Sequence, residues 1–312
     1  MTDLLITETI DEDVFKDVLA GFNIIYEPKL FLRHDDLCKA VANVPAIIVR
    51  NNTQVNADVL KHATKLVAVG RLGVGLDNID MATCKARGIA VYPATGANAQ
   101  SVVEYVIGAA YALLRRAFFA TPEVLAGDFP RARWQGREVA GKRLGIVGFG
   151  AIGRMLGATA TGIGMEVVGY DPHLKADDPA WTQPWGKVPS LDLDTLLATS
   201  DVVSLHVPLN AETKDLIDRA ALAKMKRGAI LVNAARGGVA NEAATVEALR
   251  SGQLGGAAFD VFTEEPLSKE GAKVFADCPN LILTPHIGAG TAEANQRVSF
   301  MVAERIRDHF KK

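Results

Sequence analysis

Residues 144–172 read LGIVGFGAIGRMLGATATGIGMEVVGYDP: an apolar run, a turn holding Gly148, Gly150 and Gly153, a stretch of helical period, and a second apolar run ending at Asp171. A glycine turn set directly between a strand and a helix, with an acid closing the next strand, specifies a βαβ unit and therefore two neighbouring parallel strands. The same rhythm runs through the rest of the chain. Short apolar runs recur at Leu4 to Thr7, Ala46 to Val49, Leu66 to Val69, Leu144 to Val147, Val167 to Tyr170, Val202 to His206, Ile230 to Asn233, Gly256 to Asp260 and Leu281 to Thr284, separated by helical segments. That alternation predicts an α/β fold with parallel sheets, whose ligands sit beyond the carboxyl ends of the strands. Small or polar turns follow at Gly70 to Gly75, Gly148 to Gly153, Ala234 to Gly238 and Pro285 to Gly290. Ser101 to Arg116 (SVVEYVIGAAYALLRR) is apolar on most faces and predicts a helix buried in this subunit or against another, whereas the prolines of Asp177 to Pro189 predict a loop.

The glycine turn carries chemistry as well as shape. Gly148 and Gly150 let the backbone approach a pyrophosphate closely, and the N–H groups of the helix start, Ala151 and Ile152 included, meet its charge. Asp171 stands where an acid accepts hydrogen bonds from the adenosine ribose hydroxyls. A 2′-phosphate would be repelled by Asp171, and Pro172 and His173 offer no arginine to receive it, so the unit predicts NAD rather than NADP.

The 312 residues, 49% hydrophobic and 22% charged, suit an ordinary globular chain of two domains. A formal net charge of -2 leaves no positive field to hold nucleic acid or an acidic membrane surface. Met1 to Asp13 lacks the basic segment and cleavage site of a signal peptide, and no apolar run is long enough to span a bilayer, so a cytoplasmic location is expected. Cys38, Cys84 and Cys278 are odd in number and show no paired metal-ligand spacing, so reduced, structural cysteines and no metal site are expected.

Three charged or titratable residues follow strands on one edge of the predicted sheet: Arg236 in VNAARGG, Glu265 in FDVFTEEP and His286 in LTPHIGA. Singly each has a plain structural role open to it, Arg236 as a surface charge, Glu265 as a helix-start acid, His286 as a histidine before a glycine turn. Loops at the carboxyl ends of strands bring such residues together despite their separation in sequence. With these in place, the chain from about Val49 to Gly290 resembles the D-isomer-specific 2-hydroxyacid dehydrogenases, in particular their phosphoglycerate dehydrogenase and glyoxylate/hydroxypyruvate reductase branch. The carriers are RLGVGLDNID (71–80), GANAQSVVEYVIG (96–108), GIVGFGAIG (145–153), LHVPL (205–209), LVNAARGGVANE (231–242), AFDVFTEEP (258–266) and LTPHIGA (283–289). The resemblance implies that Arg236, Glu265 and His286 are catalytic. The chemistry asks for these types: hydride arriving at C2 of a 2-oxo acid leaves negative charge on oxygen, and a protonated His286 supplies the proton as that charge develops. Glu265 would favour the imidazolium and fix its tautomer, while Arg236 would hold the substrate carboxylate and polarise the keto oxygen.

The resemblance also implies cofactor contacts at Ser101, His206, Pro208, Ala234, Asp260 and Gly288, with Asp260 toward the nicotinamide carboxamide. It implies two Rossmann-like domains, an NAD-binding domain at 99–287 inserted into a flavodoxin-like substrate domain made of 1–98 and 288–312, with the substrate in the cleft. A homodimer formed through the Ser101 to Arg116 helix and the following arm is implied too, with Trp134, beside Arg131 and Arg133, packed in that arm. The chain is similar to the short form of the family, without a regulatory domain. Two rival readings stay open: a glyoxylate or hydroxypyruvate reductase, and an NAD(H)-sensing binding protein of the same fold.

The substrate's remaining groups are addressed by two loops. Gly73, Val74 and Gly75 in RLGVGLD can present backbone N–H groups to a carboxylate, Arg71 directly precedes them, and Arg50, with Asn51 beside it, ends the neighbouring strand. One carboxylate does not need three arginines. The expectation is a small 2-hydroxy acid with a second anionic group at C3, like 3-phosphoglycerate or sulfolactate.

Overall fold

The structure, a computed structural model, describes residues 2–311 and falls into two compact units, Met1–Asn98 with Gly290–Lys312, and Ala99–Ala289.

The first unit opens with strands β1 (Thr2–Ile6), β2 (Phe22–Tyr26), β3 (Ala46–Val49), β4 (Ala68–Arg71) and β5 (Ala90–Pro93), between helices α1 (Asp13–Asp17), α2 (His34–Val41), α3 (Ala57–His62) and α4 (Met81–Ala86). All pair in parallel in the order β2-β1-β3-β4-β5. Strand β3 (AIIV) is buried at every position, as an interior parallel strand covered on both faces must be. The two edge strands, β2 and β5, were not legible as apolar runs. FNIIY carries Asn23 and is only half-buried, and AVYP ends in Pro93, which an edge tolerates because no ladder N–H is needed there. The chain runs from β1 outward to β2 and then back across to β3, so the direction of winding reverses at the carboxyl end of β1.

In the second unit come α5 (Ala99–Arg115), α6 (Thr121–Leu125), β6 (Arg143–Val147), α7 (Ala151–Gly162), β7 (Glu166–Tyr170), a short hairpin β8 (Thr182–Gln183) and β9 (Gly186–Lys187), α8 (Leu193–Thr199), β10 (Val202–Leu205), α9 (Arg219–Lys224), β11 (Ala229–Asn233), α10 (Glu242–Arg250), β12 (Leu254–Phe259) and β13 (Leu281–Leu283). Six strands form a parallel sheet in the order β13-β12-β11-β10-β6-β7, which places a second reversal at the carboxyl end of β6, beside Gly148. One face packs on α5 and α7 through Val103, Val106, Leu113 and Leu156, the other on the layer of α8 to α10 through Leu196, Leu222 and Leu249. Helix α5 is buried along Val102, Val106, Ala109, Ala110 and Leu113, and the chain leaves it through Arg116 in the left-handed region at φ 57°. The Asp177 to Pro189 stretch is not only loop. It forms the β8–β9 hairpin, because the ring of Trp181 is buried and stacks on Phe149 at 4.7 Å, which anchors the segment to the sheet despite its prolines.

The last helix, α11 (Ala292–Phe310), returns to the first unit and packs Val298, Val302 and Ile306 into the core of its sheet.

Candidate active site

The reversal beside β6 is built for close backbone approach. Gly148 takes φ 94°, and a Cβ there would lie 2.6 Å from the His206 carbonyl oxygen; a Cβ on Gly153 would collide with the carbonyl oxygen of Gly148. Gly150 caps the start of α7 and has open space around the position a Cβ would take. The orphan N–H groups of Ala151 and Ile152 follow it at a helix N-terminus. Asp171 ends β7 beside this turn: its Oδ2 accepts from the Phe149 N–H at 3.0 Å and its Oδ1 from the His173 N–H at 3.0 Å. The carboxylate is thereby oriented next to the glycine turn, with lone pairs left for a ribose. These features fit a dinucleotide of the NAD type. His206 donates its backbone N–H to Val147 at 2.7 Å, and its ring Nε2 lies 2.9 Å from the Ser204 hydroxyl. Although part of the side chain reaches solvent, desolvation of the ring holds its pKa down at about 4, so this histidine is neutral at ordinary pH. Pro208 lies on the exposed stretch after it, Ala234 is half-buried after β11, and Ser101 is buried in the first turn of α5.

Arg236, Glu265 and His286 are brought together at the carboxyl ends of β11, β12 and β13. Asn233 shapes the first loop, its amide donating to the Arg236 carbonyl at 2.9 Å and accepting from the Ala235 N–H at 3.1 Å. Arg236 Nη1 donates to the Ala235 carbonyl at 2.5 Å. Glu265 Oε2 meets His286 Nδ1 at 2.7 Å, and Oε1 accepts from the Phe262 N–H at 2.9 Å. Burial would raise the Glu265 carboxyl, but hydrogen bonds from His286 and the Phe262 N–H, with the charges of His286 and Arg236, outweigh it and hold the carboxyl below its ordinary value. Nδ1 must therefore carry its proton toward an ionised carboxylate, which leaves Nε2 as the exchanging nitrogen. The His286 side chain is 39% exposed, so Nε2 is reachable.

His286 sits at φ 55°, an uncommon conformation for a side chain of its size, and the loop around it is held by Asp260. The Asp260 carboxylate is buried; Oδ1 accepts from the Thr284 hydroxyl at 2.6 Å and the Ile287 N–H at 2.8 Å, and Oδ2 from the Gly288 N–H at 2.7 Å. A Cβ on Gly288 would stand 2.8 Å from Oδ2, so only glycine lets the loop close onto this acid. The sequence pointed to Asp260 and Gly288 as cofactor contacts; what the fold shows is that they tie the histidine loop in place. Thr284 and Tyr105, the latter 2.8 Å from the Thr284 hydroxyl, were not among the residues singled out, because nothing in spacing marks a helix residue that reaches a loop 179 positions away.

The first unit carries the arginine loops. Glu8, directly after the reversal at β1, is buried and accepts from the backbone N–H groups of Arg50 (2.8 Å), Asn52 (3.1 Å) and Thr53 (2.9 Å), fixing the loop on which Arg50 and the exposed Asn51 stand. The sequence signal for Glu8, an acid closing the first apolar run, was present but unread. Arg50 Nη2 donates to the Asn295 side-chain oxygen on α11, while its Nε is buried without an acceptor among the described residues. Desolvation lowers the Arg50 guanidinium from its ordinary value, partly offset by the charge of Glu8. Arg71 ends β4 and its Nη1 donates to the Leu72 carbonyl at 3.1 Å. Gly73 is buried, with its N–H given to the Arg71 carbonyl at 2.8 Å, so this glycine, expected from the sequence to present its N–H to a ligand, spends it within its own loop.

A dinucleotide turn with an acid-oriented histidine at the same sheet edge defines a nicotinamide-dependent oxidoreductase. Residues 107–288 match the family described as D-isomer specific 2-hydroxyacid dehydrogenase, NAD binding domain. The chain is 45% identical over 308 residues to (S)-sulfolactate dehydrogenase of Chromohalobacter salexigens, covering 98% of each. It is 40% identical over 275 residues to hydroxypyruvate reductase of Thermotoga maritima, covering 88% of each. Among solved structures it is similar to D-lactate dehydrogenase from Aquifex aeolicus complexed with NAD and lactic acid, with a TM-score of 0.86, 26% identity, and 99% of this chain and 96% of that chain covered. The chain belongs to the D-isomer-specific 2-hydroxyacid dehydrogenase family. It is an NAD-dependent enzyme acting on the CH–OH group of its donors, as the sequence motifs implied.

Proposed function

We propose that the enzyme interconverts a three-carbon 2-hydroxy acid and its 2-oxo form, with an anionic group at C3 of the sulfonate or phosphate type. The observation that carries this is Arg50, a desolvated guanidinium whose Nε has no acceptor among the described residues and whose Nη2 rests on a neutral amide. Only the charge of Glu8 offsets the desolvation of this half-buried guanidinium, so an anion meeting the buried Nε would stabilise it further. The likeness to a relative named (S)-sulfolactate dehydrogenase favours the sulfonate. Arg50 and Arg71 are assigned to the C3 group, Asn51 to the polar groups beside it, and the Val74 and Gly75 N–H groups to the carboxylate with Arg236.

When bound, NADH would supply the hydride that C2 receives. As the carbonyl electrons move onto oxygen, His286 Nε2 donates its proton there, and Glu265 at Nδ1 steadies the charged ring beforehand. In oxidation neutral His286 takes the hydroxyl proton back. Gly148, Gly150, Ala151 and Ile152 are assigned to the pyrophosphate, Asp171 to the ribose, and Ser101, His206, Pro208, Ala234, Asp260 and Gly288 to the remaining cofactor contacts.

The likeness to hydroxypyruvate reductase favours a second reading, in which a hydroxyl or nothing stands at C3. Initial rates of NADH consumption with 3-sulfopyruvate, 3-phosphohydroxypyruvate, hydroxypyruvate and glyoxylate decide between them. A higher kcat/KM for either uncharged-tail acid than for both dianions rejects the first reading.

A homodimer is inferred through α5 and the arm after it, which leaves Phe118, Leu125 and Phe129 exposed at 69%, 83% and 73%. Trp134 in that arm donates to Glu123 at 3.0 Å and lies under the guanidinium groups of Arg116 and Arg133, which supports a packing role. No helix of the described residues is long and apolar enough to cross a membrane, and a cytoplasmic location is part of the same reading.

A further inference from the structure

Helices α2 and α3 pack side by side in the first unit and bring three potential metal ligands of different chemistry to one point. His34 and Cys38, four residues apart, share a face of α2, with Cys38 Sγ 3.6 Å from His34 Nε2. Asp58, in the first turn of α3, places Oδ2 2.7 Å from the same nitrogen. One ligand atom from each of the three residues lies within 4.8 Å of the others. They open on a cavity of about 550 Å³, which His62, four residues beyond Asp58 on α3, also lines. None of these residues belongs to the active site described above.

We propose that this cluster is a second, non-catalytic site that binds zinc through His34 Nε2, the Cys38 thiolate and the Asp58 carboxylate. Zinc takes sulfur at about 2.3 Å and nitrogen or oxygen at about 2.0 Å in a tetrahedron, which sets neighbouring ligand atoms roughly 3.3 to 3.5 Å apart. The sulfur–nitrogen pair already has nearly that separation. The nitrogen–oxygen pair is closer because a proton bridges it, and replacing that proton by the cation requires the two exposed side chains to part by about half an ångström or so. The charge also suits a cation. Asp58 and Asp35 put two carboxylates on the pocket against the single ammonium of Lys39. On binding, the Sγ–H bond breaks and its proton passes to the buffer, while the proton between His34 Nε2 and Asp58 is lost to the buffer from the imidazolium, or from the neutral ring by transfer through water to Nδ1; the freed sulfur and nitrogen lone pairs and the carboxylate then form the bonds to zinc, with no change of oxidation state. His62 or water completes the tetrahedron. The cysteines alone gave no hint of this, because the set takes one ligand of each type from two helices rather than a pair of cysteines at short spacing.

The test uses the untagged full-length protein, stripped with EDTA and titrated with zinc chloride against a chromogenic chelator. One zinc per chain at micromolar affinity or tighter is expected, with His34→Gln and Cys38→Ser each weakening it tenfold or more and leaving zinc-free 2-oxo acid reduction unchanged. Cobalt should give a thiolate charge-transfer absorption that Cys38→Ser abolishes. Because Cys38 is buried, Asp58→Asn, at an exposed position, provides a variant that does not disturb the core and should also weaken binding. No binding at micromolar zinc overturns the proposal. So does binding that survives the His34 and Cys38 substitutions, or that is lost instead in His286→Gln.

Discussion

Thr284 donates its hydroxyl proton to Asp260 Oδ1 at 2.6 Å. A hydroxyl has one proton, so Tyr105, 2.8 Å away on the other side, must donate to Thr284. Burial pushes the Tyr105 phenol up to about 12, with the Thr284 hydrogen bond opposing and the Asp260 charge adding, so this relay stays protonated through the neutral range. It leads to the loop that holds His286 at positive φ. Thr284→Val keeps the volume and removes both hydrogen bonds. A loss of about 0.5 to 1.5 kcal/mol in positioning lowers kcat roughly 2- to 10-fold with KM for NADH unchanged, and Thr284→Ser restores it. An unchanged kcat in Thr284→Val would mean that the Ile287 and Gly288 N–H groups alone hold the loop.

Glu265 is kept ionised by its partners, so its effect on His286 is present across neutral pH. In Glu265→Gln the negative charge is gone and the imidazolium is less favoured. The reductive pH profile should then lose its rate at lower pH than in the parent enzyme, while oxidation, which needs the neutral ring, suffers less. The same depressed carboxyl contributes stability that is present above the ordinary glutamate pKa of about 4.3 and fades as pH falls through the lower folded value. Profiles of kcat/KM in both directions check this; superimposable profiles rule out Glu265 as the electrostatic partner of His286.

His206 gives a second pH dependence with a different window. Its folded pKa, about 4, lies below its ordinary value of 6.5, so the unfolded chain takes up the proton first. Stability is complete above about pH 6.5 and declines as pH falls toward 4, by at most about 3 to 4 kcal/mol and less to the extent that the ring meets water. Urea unfolding at pH 7.5 and pH 5 should show a steeper loss for the parent protein than for His206→Gln. Equal losses would place the acid sensitivity elsewhere, with Asp201, whose carboxyl is held low by Lys226 and the Arg143 N–H despite desolvation, titrating only further down.

Asp171 presents its carboxylate at the glycine turn while its two oxygens brace Phe149 and His173. A cofactor with a 2′-phosphate would bring like charges within a few ångströms, at about 1 kcal/mol or more. The parent enzyme should prefer NADH strongly by kcat/KM. Asp171→Ala should narrow the NADH:NADPH ratio at least tenfold, chiefly by a lower KM for NADPH. A parent enzyme that uses both equally would remove Asp171 from this role.

What could be read from the sequence divides along the physics of each element. Interior strands such as AIIV and AILVN are buried on both faces and announce themselves as apolar runs, and the glycine turn at 148–153 is spelled out because its backbone admits no side chain. The edge strands β2 and β5 and the hairpin after Asp177 were missed, since half-burial blurs the pattern and the anchoring of Trp181 against Phe149 is a tertiary contact, whereas β7 and β13, edges of the second sheet, kept apolar runs long enough to read. Within the candidate site, the residues proposed to react could be named from the sequence because the chemistry asks for their types. Their supports were not: Glu8, Tyr105 and Asn295 act through hydrogen bonds that reach across 42 to 245 residues of chain, which no local spacing encodes.

Arg50 sets the last prediction. Glu8 fixes its backbone, Asn295 holds one Nη, and the buried Nε has no acceptor among the described residues. If a C3 anion is that acceptor, Arg50→Ala removes a charge-assisted contact of about 1.5 to 3 kcal/mol, and KM for 3-sulfopyruvate should rise tenfold or more. Hydroxypyruvate, with no charge at C3, should be reduced about as well as before. Arg71→Ala should show the same selectivity. Asn295→Ala removes only a neutral anchor, so the guanidinium stays but is less well aimed, and KM for the dianion should rise by a smaller factor. A loss shared equally by charged and uncharged tails in Arg50→Ala would make the arginine a structural element of its loop and return the choice of substrate to the reductase reading.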